Sequence, residues 1–200
     1  MKFIIISIIF AGIISLKLKR ENSREAKAEQ SFWEREAKAN YTRRKSLDAL
    51  DYITIPDDIL SMSPENMTEA IRCDLEDLKS LSAYKIVNLT GLSNTDLKLQ
   101  YGTANITILS EYDFHYTNLV TLLQRLAEKL HANGNDTLAI RTLEFAVSTG
   151  TDVGKSYYLL SELYAQYGTP EKIDGLIRSA QSLRSLTKDT IVQNLQAGHQ

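Results

Sequence analysis

Residues 122–182, LLQRLAEKLHANGNDTLAIRTLEFAVSTGTDVGKSYYLLSELYAQYGTPEKIDGLIRSAQS, are the stretch that best predicts the fold of this 200-residue chain. Within it Gly134 and Gly168 are separated by the same interval as the small residues Ala146 and Ala180. The other positions that recur at this interval are Leu126-Ala127 with Leu160-Ser161, Leu130 with Tyr164, and Leu143 with Ile177. The pattern predicts two helical hairpins, each with a glycine at positive φ closing its first helix and an apolar stripe facing the core.

On these residues, 120–187 resemble two tandem tetratricopeptide repeats, a family of two-helix units with a period of about 34 residues, which is also the spacing of the matched residues here. The matching positions are Leu126, Ala127, Gly134, Ala139, Leu143 and Ala146 in the first unit, and Tyr157, Leu160, Ser161, Tyr164, Gly168 and Ala180 in the second. The chain departs from the family pattern at three positions. Leu123 replaces the usual aromatic residue, Ile173 replaces a small residue, and Thr151 stands where a proline usually separates two units.

The resemblance implies a concave groove lined by the first helix of each hairpin. The predicted groove residues are Gln124, Glu128, His131, Lys155, Tyr158 and Glu162, with Ala165 beside them, and all are expected to be exposed. Family members that clamp the terminal carboxylate of a peptide carry Lys, Arg and Asn here. Because Glu128 and Glu162 take their place, a basic or apolar segment of a protein or peptide is the predicted partner. The alternative is that both glutamates merely solvate exposed helix faces.

An unbroken run of fourteen apolar or small residues, Phe3 to Leu16, opens the chain behind Lys2. It is short for a bilayer span, which needs about 20 residues, so the core of a signal peptide is a competing interpretation. The first Ala-x-Ala, residues 26–28, lies beyond four basic residues, which favours an uncleaved anchor. The anchor residues are Phe3, Ile4, Ile5, Ile6, Ile8, Ile9, Phe10, Ile13, Ile14 and Leu16.

Charge is distributed unevenly behind this run. Residues 17–45 carry ten Lys/Arg against five Asp/Glu, whereas residues 46–200 carry twelve against twenty. A basic neck beside an acidic body argues against nucleic acid as a partner and suggests proximity to anionic lipid. The positive-inside tendency then places the body in the cytoplasm.

Between the anchor and the repeats the sequence predicts further helices. Residues 21–45 are expected to form a charged helix interrupted by Phe32-Trp33, a pair that either packs on the body, which we favour, or serves as an interfacial or partner contact. Residues 52–56 are expected to lie across the body as an extended strap ended by Pro56. Ser63-Pro64 predicts a helix start, residues 96–101 a short helix, and 103–112 a further helix. The short anchor, Phe32 to Glu36 and Tyr52 to Pro56 also resemble an uncharacterised family of small bacterial membrane-anchored proteins, which implies no activity.

The predicted organisation is an anchor at 1–20, a basic neck at 21–46, a helical segment with the strap at 47–119, two repeats at 120–187 and a C-terminal capping helix at 188–200. A helix that covers the last apolar face is expected at the end of a repeat array, and Leu183, Leu186, Ile191 and Leu195 are its apolar residues. The fold class is therefore all-α, a short α-solenoid of tetratricopeptide-like hairpins behind an N-terminal anchor helix.

No sequence motif for catalysis, phosphate binding or metal binding is present. The three histidines are scattered, and Cys73, the single cysteine, is expected to be a partly covered bystander. We therefore expect no enzyme, cofactor or metal, but a membrane-tethered helical-repeat interaction module, a scaffold or adaptor for a protein or peptide. The alternative is a secreted or lumen-facing helical structural protein with a cleaved signal peptide. Five Asn-x-Thr sequons would matter only in that case: Asn40, Asn66, Asn88, Asn105 and Asn135.

Overall fold

A computed structural model of the chain describes the backbone of residues 2–198 and the side chains of residues 17, 19, 21 and 24–198. Within these residues the protein is all-α and contains helical hairpins, as predicted. The helices are α1 (Lys2–Asn40), α2 (Asp57–Leu60), α3 (Glu69–Leu81), α4 (Asn94–Tyr101), a 3-10 turn (Thr103–Asn105), α5 (Ile106–Ala132), α6 (Asp136–Ser148), α7 (Gly154–Gln166), α8 (Glu171–Gln181) and α9 (Lys188–Gly198). The chain divides into two compact units, described separately below.

The first unit comprises Met1–Ser46 and Ser93–Ile106, and it holds the end of α1 against α4. Arg35 pairs with Asp96 at 2.6 Å, and the Lys98 ammonium donates to the Asn40 side chain at 2.7 Å. Ala39 is fully buried at this contact. The short helix predicted at 96–101 is therefore present, and it begins two residues earlier, with Ser93 as its N-cap.

Helix α1 runs without a break through Phe32 and Trp33 and ends at Asn40. The two rings pack edge-to-face on each other at 5.3 Å, and each is more than half exposed. One expectation is thus wrong, because the pair does not interrupt the helix. The side chains that flank the pair from residue 24 to residue 38 are mostly charged or polar, so this part of α1 offers the rings no apolar surface.

The predicted anchor residues, Phe3 to Leu16, belong to the α1 backbone, but their side chains lie outside the described residues. In the portion of the chain that the structure describes, no helix combines the length and apolar character needed to cross a membrane.

The second unit comprises Leu47–Leu92 and Thr107–Gln200 and contains the strap at its start. The Ile53 N–H donates to the Ile86 carbonyl at 2.9 Å, and Tyr52 forms an antiparallel bridge with Val87. Ile55 is buried in the core, so residues 52–56 lie in an extended segment against the helices, as predicted.

Helix α3 starts later than Ser63-Pro64 suggested. Its N-cap is Thr68, whose hydroxyl accepts from the Ile71 N–H at 3.3 Å, and the helix proper begins at Glu69. Thr68 satisfies a helix N–H that would otherwise be unpaired, whereas the Ser63 hydroxyl caps no helix N–H, so the helix begins after Thr68. Met67, which a helix starting at Ser63-Pro64 would include, therefore precedes the helix and is 43% exposed.

The two hairpins, α5–α6 and α7–α8, close with the same turn. The Asn135 N–H donates to the Leu130 carbonyl and the Thr169 N–H to the Tyr164 carbonyl, both at 2.9 Å. The N–H of the preceding glycine donates to a carbonyl three residues earlier in both turns, with φ of 74° at Gly134 and 69° at Gly168. This pair of bonds is the Schellman motif, which needs a left-handed residue at the position both glycines occupy.

Small residues sit where the helices approach. Ala127, Ala146 and Ala180 have no exposed surface, and around them lies a continuous core of leucines from α5, α6 and α7. Beyond α8, the buried residues Ile191 and Leu195 of α9 join this core, as expected of a capping helix. Leu186 does not: it precedes α9 and is fully exposed, because the chain between α8 and α9 turns its side chain outward.

Candidate functional site

The predicted groove residues fall on α5 and α7, and the structure brings three of them together. The Gln124 amide donates to the Glu128 carboxylate at 3.0 Å, and the Lys155 ammonium lies 3.9 Å from the same carboxylate. Glu128 is about half exposed and Lys155 is 77% exposed. One face of α5 and the start of α7 therefore form a joint polar surface.

Gln124 itself is not a free surface residue, contrary to the prediction. It is only 7% exposed, and its side-chain oxygen accepts from the Ser156 hydroxyl at 2.6 Å. The amide lies between α5 and α7, where both of its ends find partners, so burying it leaves no polar atom unsatisfied. Gln124 is therefore a bridge under the groove, and it holds the Glu128 carboxylate from below.

Tyr158 occupies the place in the second hairpin that Gln124 occupies in the first, one repeat period further along the chain. Its hydroxyl accepts from the Asn194 side chain of α9 at 2.8 Å, and its ring is half-buried against the core. Gln124 thus reaches from α5 to α7, and Tyr158 reaches from α7 to α9. In both hairpins the residue at this position of the first helix therefore bonds to a later helix.

Glu128 and Glu162 lie one helical turn beyond these two bridging residues. Because residues four apart share a helix face, each carboxylate lies on the same face of its helix as the bridging residue one turn before it. Glu162 is exposed, and within the described residues its side chain makes no hydrogen bond or ion pair. The surface therefore carries one carboxylate that is partly tied down, at Glu128, and one that is free, at Glu162.

His131 turns away from this surface toward the hairpin turn. Its Nδ1 lies 2.6 Å from an Asp136 carboxylate oxygen, and the Tyr167 hydroxyl donates to the other oxygen at 2.8 Å. The hydrogen bond from His131 lowers the pKa of the Asp136 carboxyl, and the bond from Tyr167 lowers it further. The same bond raises the pKa of Tyr167. The His131 side chain therefore stabilises the turn between α5 and α6, and it does not belong to the surface formed by Gln124, Glu128 and Lys155.

Two residues at this site were missed by sequence reasoning, Ser156 and Asn194. Ser156 is fully buried beside Tyr157 on an otherwise apolar face of α7. A serine among apolar residues at helical spacing was the signal available in the sequence. Asn194 lies on the exposed side of α9, where nothing in the sequence distinguishes it from other polar surface residues.

Three of the five sequon asparagines hold loops in place through their side chains. Asn88 donates to the Tyr116 hydroxyl and to two backbone carbonyls, while Asn105 donates to the carbonyls of Lys45 and Tyr101 at 2.8 and 2.7 Å. Asn135 accepts from the Glu65 N–H at 3.2 Å. These three side chains fasten loops, so their amides are already engaged. Asn40 and Asn66 are exposed.

Cys73, expected to be partly covered, is exposed on α3. Its thiol faces Glu69, and desolvation together with that carboxylate raises the thiol pKa. Among the residues that the structure describes, no group of three His, Cys, Asp or Glu side chains gathers closely enough to hold a metal ion. No protein-family model, curated protein or solved structure matches the chain.

Proposed function

We propose that residues 120–187 are a pair of tetratricopeptide-like repeats that capture a segment of a protein or peptide partner. The support comes from the two Schellman turns, which lie one repeat period apart, and from the fully buried Ala127, Ala146 and Ala180. Further support comes from the bond between Gln124 and Ser156, which joins the two first helices α5 and α7, because side-by-side first helices are what a repeat groove requires.

The free Glu162 carboxylate is the observation that carries the choice of ligand. It occupies the position on α7 that Glu128 occupies on α5, and Lys155 offsets only part of the negative charge of this pair. The half-buried ring of Tyr158 lies one turn before Glu162 and provides an apolar platform. A segment with a Lys or Arg next to an apolar residue complements this surface in charge and shape.

The repeats are proposed to be tethered to the cytoplasmic face of a membrane by Phe3 to Leu16. The support is the apolar run and the basic neck behind it. The exposed stretch of α1 from residue 24 to residue 35 would act as a helical spacer of about 18 Å, at 1.5 Å per residue. In this arrangement the protein is an adaptor that holds its partner close to the bilayer.

The tether is tested by deleting residues 1–20. The truncated protein should leave the membrane fraction after a carbonate wash and still unfold cooperatively, because, among the described side chains, the contacts of α1 with α4 begin at Arg35. Retention of the truncated protein on washed membranes would contradict the anchor. Mass spectrometry of the native full chain provides the control, since loss of the apolar run and its basic flank in the cell would favour the secreted alternative.

The ligand preference is tested by peptide-display selection on the full chain in detergent micelles. Selected sequences should be enriched in Lys or Arg adjacent to an apolar residue, and Glu162→Lys should remove the enrichment. Glu111→Lys is the matched control, because Glu111 is an exposed acidic residue of α5 outside the groove. Enrichment of acidic sequences, or equal enrichment with both variants, would contradict the proposal.

A further inference from the structure

A second concave site lies beside the C-terminal ends of α6 and α8, away from the hairpin turns at Gly134 and Gly168. It is a cleft of about 430 Å³, within the usual range for small-molecule sites. Its walls come from the strap, the loop at 88–90 and the ends of both helices. The residues that line it include Asp51, Ile53, Asn88, Phe145, Leu183 and Arg184.

The floor of the cleft is fixed by Asn88. Its side-chain amide donates to the Tyr116 hydroxyl at 2.9 Å and to the Thr149 and Gly150 carbonyls at 2.9 and 3.1 Å. Its oxygen accepts from the Thr90 N–H at 2.9 Å. With every polar atom of Asn88 engaged, the loop at 88–90 and the end of α6 form one preorganised surface.

The rim at Arg184 is fixed by the backbone. Gly91 has a φ of 82°, and a Cβ at that position would lie 2.7 Å from the Arg184 Cβ and 2.9 Å from its carbonyl oxygen. Only glycine permits this approach. The Arg184 main chain is therefore held against the loop, while its side chain stays exposed at the mouth of the cleft.

Two opposite charges face this cleft without a partner. The Asp51 carboxylate and the Arg184 guanidinium are exposed, and neither side chain forms an ion pair or hydrogen bond with any described residue, including the other. The C-terminal end of α6 adds partial negative charge beside the floor. Ile53, Phe145 and Leu183 supply an apolar wall.

We propose that this cleft binds a small zwitterion with an apolar side chain, namely a free α-amino acid or a dipeptide. Its ammonium group pairs with Asp51 near the end of α6, its carboxylate pairs with Arg184, and its side chain packs on the apolar wall. A guanidinium binds a carboxylate through two parallel hydrogen bonds, which favours the free acid over an amide. The site is separate from the groove on α5, α7 and α9, so it adds a small-molecule input to the proposed adaptor.

The test is calorimetric titration of the full chain, in detergent micelles, with L-leucine and with L-leucyl-L-leucine. At least one should bind saturably below about 10 mM, and which of them binds more tightly distinguishes an amino-acid site from a dipeptide site. L-leucinamide, which lacks the carboxylate, and N-acetyl-L-leucine, which lacks the ammonium, should each bind about tenfold more weakly or worse than leucine.

Removing the charge of Asp51 or of Arg184 should show which end of the ligand each side chain binds. Asp51→Asn should abolish the preference for leucine over N-acetyl-leucine, and Arg184→Gln should abolish the preference over leucinamide. Asp189→Asn and Arg178→Gln, which remove exposed charges outside the cleft, should change neither preference. Melting temperatures of all four variants should match the parent, since none of these charges is buried. Absence of saturable binding by either probe, or preferences unchanged in the Asp51 and Arg184 variants, would overturn the proposal.

Discussion

The two hairpins share one backbone turn but differ in what surrounds it. The first hairpin is tied on both sides: Asp74 of α3 pairs with Arg125 and Lys129 of α5 at 2.6 Å, and Ser156 of α7 bonds to Gln124. The second hairpin packs on α6 and α9, and its exposed carboxylate, Glu162, has no partner among the described side chains. The two hairpins therefore share the backbone of their turn, while their side chains differ in the contacts that they make with neighbouring helices.

The largest expected effect comes from filling the helix contacts at the small residues. Ala146→Trp and Ala180→Trp should each destabilise the fold by about 1–3 kcal/mol or more, because neither alanine has any exposed surface. The two losses should be similar, since each hairpin is packed between neighbouring helices. Denaturant unfolding of each variant against the parent measures the loss. Ala165→Trp, on an exposed position of α7, is the control and should be nearly neutral; equal curves for all three would contradict the placement of the hairpins.

The equivalence of the turns is tested by Gly134→Ala and Gly168→Ala. No atom lies within 4 Å of the position that a Cβ would take at either glycine, so the cost is purely conformational. A left-handed alanine should cost about 1–2 kcal/mol in each turn. Gly175→Ala, inside α8, should instead stabilise by up to about 1 kcal/mol. Thermal unfolding should show two similar losses and one gain, and a clear difference between the two losses would break the equivalence.

A pH effect should distinguish the first turn from the second. Asp136 has a lowered pKa in the folded protein, so its contribution to stability is present above the unfolded value of about 4 and is lost as the pH falls through the folded value. Pro170 stands at the corresponding position of the second hairpin. Asp136→Asn should therefore cost about 0.5–1.5 kcal/mol at pH 7, and the deficit should shrink below about pH 4. A deficit that stays constant from pH 7 to pH 3 in urea titrations would show that the carboxylate charge is not involved.

Sequence periodicity was enough to predict the hairpins, the positive-φ glycines and the buried alanines, because each is dictated by local backbone geometry. The helix that begins near residue 103 was also predicted despite its β-branched Ile106-Thr107-Ile108. The start of α3 was misplaced because Ser63 and Thr68 are both plausible caps, and only packing selects between them. Leu186 shows the same limit, since an apolar residue beside a helix carries no local mark of which way its side chain turns.

The groove was predicted only in part, for a different physical reason. Helical spacing shows which residues share a face, but it does not show how far a neighbouring helix covers that face. Gln124 and Glu128 share a face of α5, yet only the close approach of Ser156 buries the former and leaves the latter exposed. His131 contacts Asp136 across the hairpin turn, and the residue spacing within α5 alone does not indicate this contact.

The central claim is that Glu128 and Glu162 face a basic partner, and the direct measurement is the affinity of a selected Lys- or Arg-containing peptide for charge-reversed protein. Glu162→Lys should weaken binding by about tenfold or more, Glu128→Lys should weaken it less because Lys155 and Gln124 already engage that carboxylate, and the double reversal should abolish binding. Circular dichroism should be unchanged in all variants and melting should be unchanged in Glu162→Lys, whereas Glu128→Lys should lower the melting temperature slightly because it removes the partner of the buried Gln124 amide. Binding to the parent should weaken as salt rises. A double variant that binds the peptide as well as the parent, at low and high salt alike, would contradict the account.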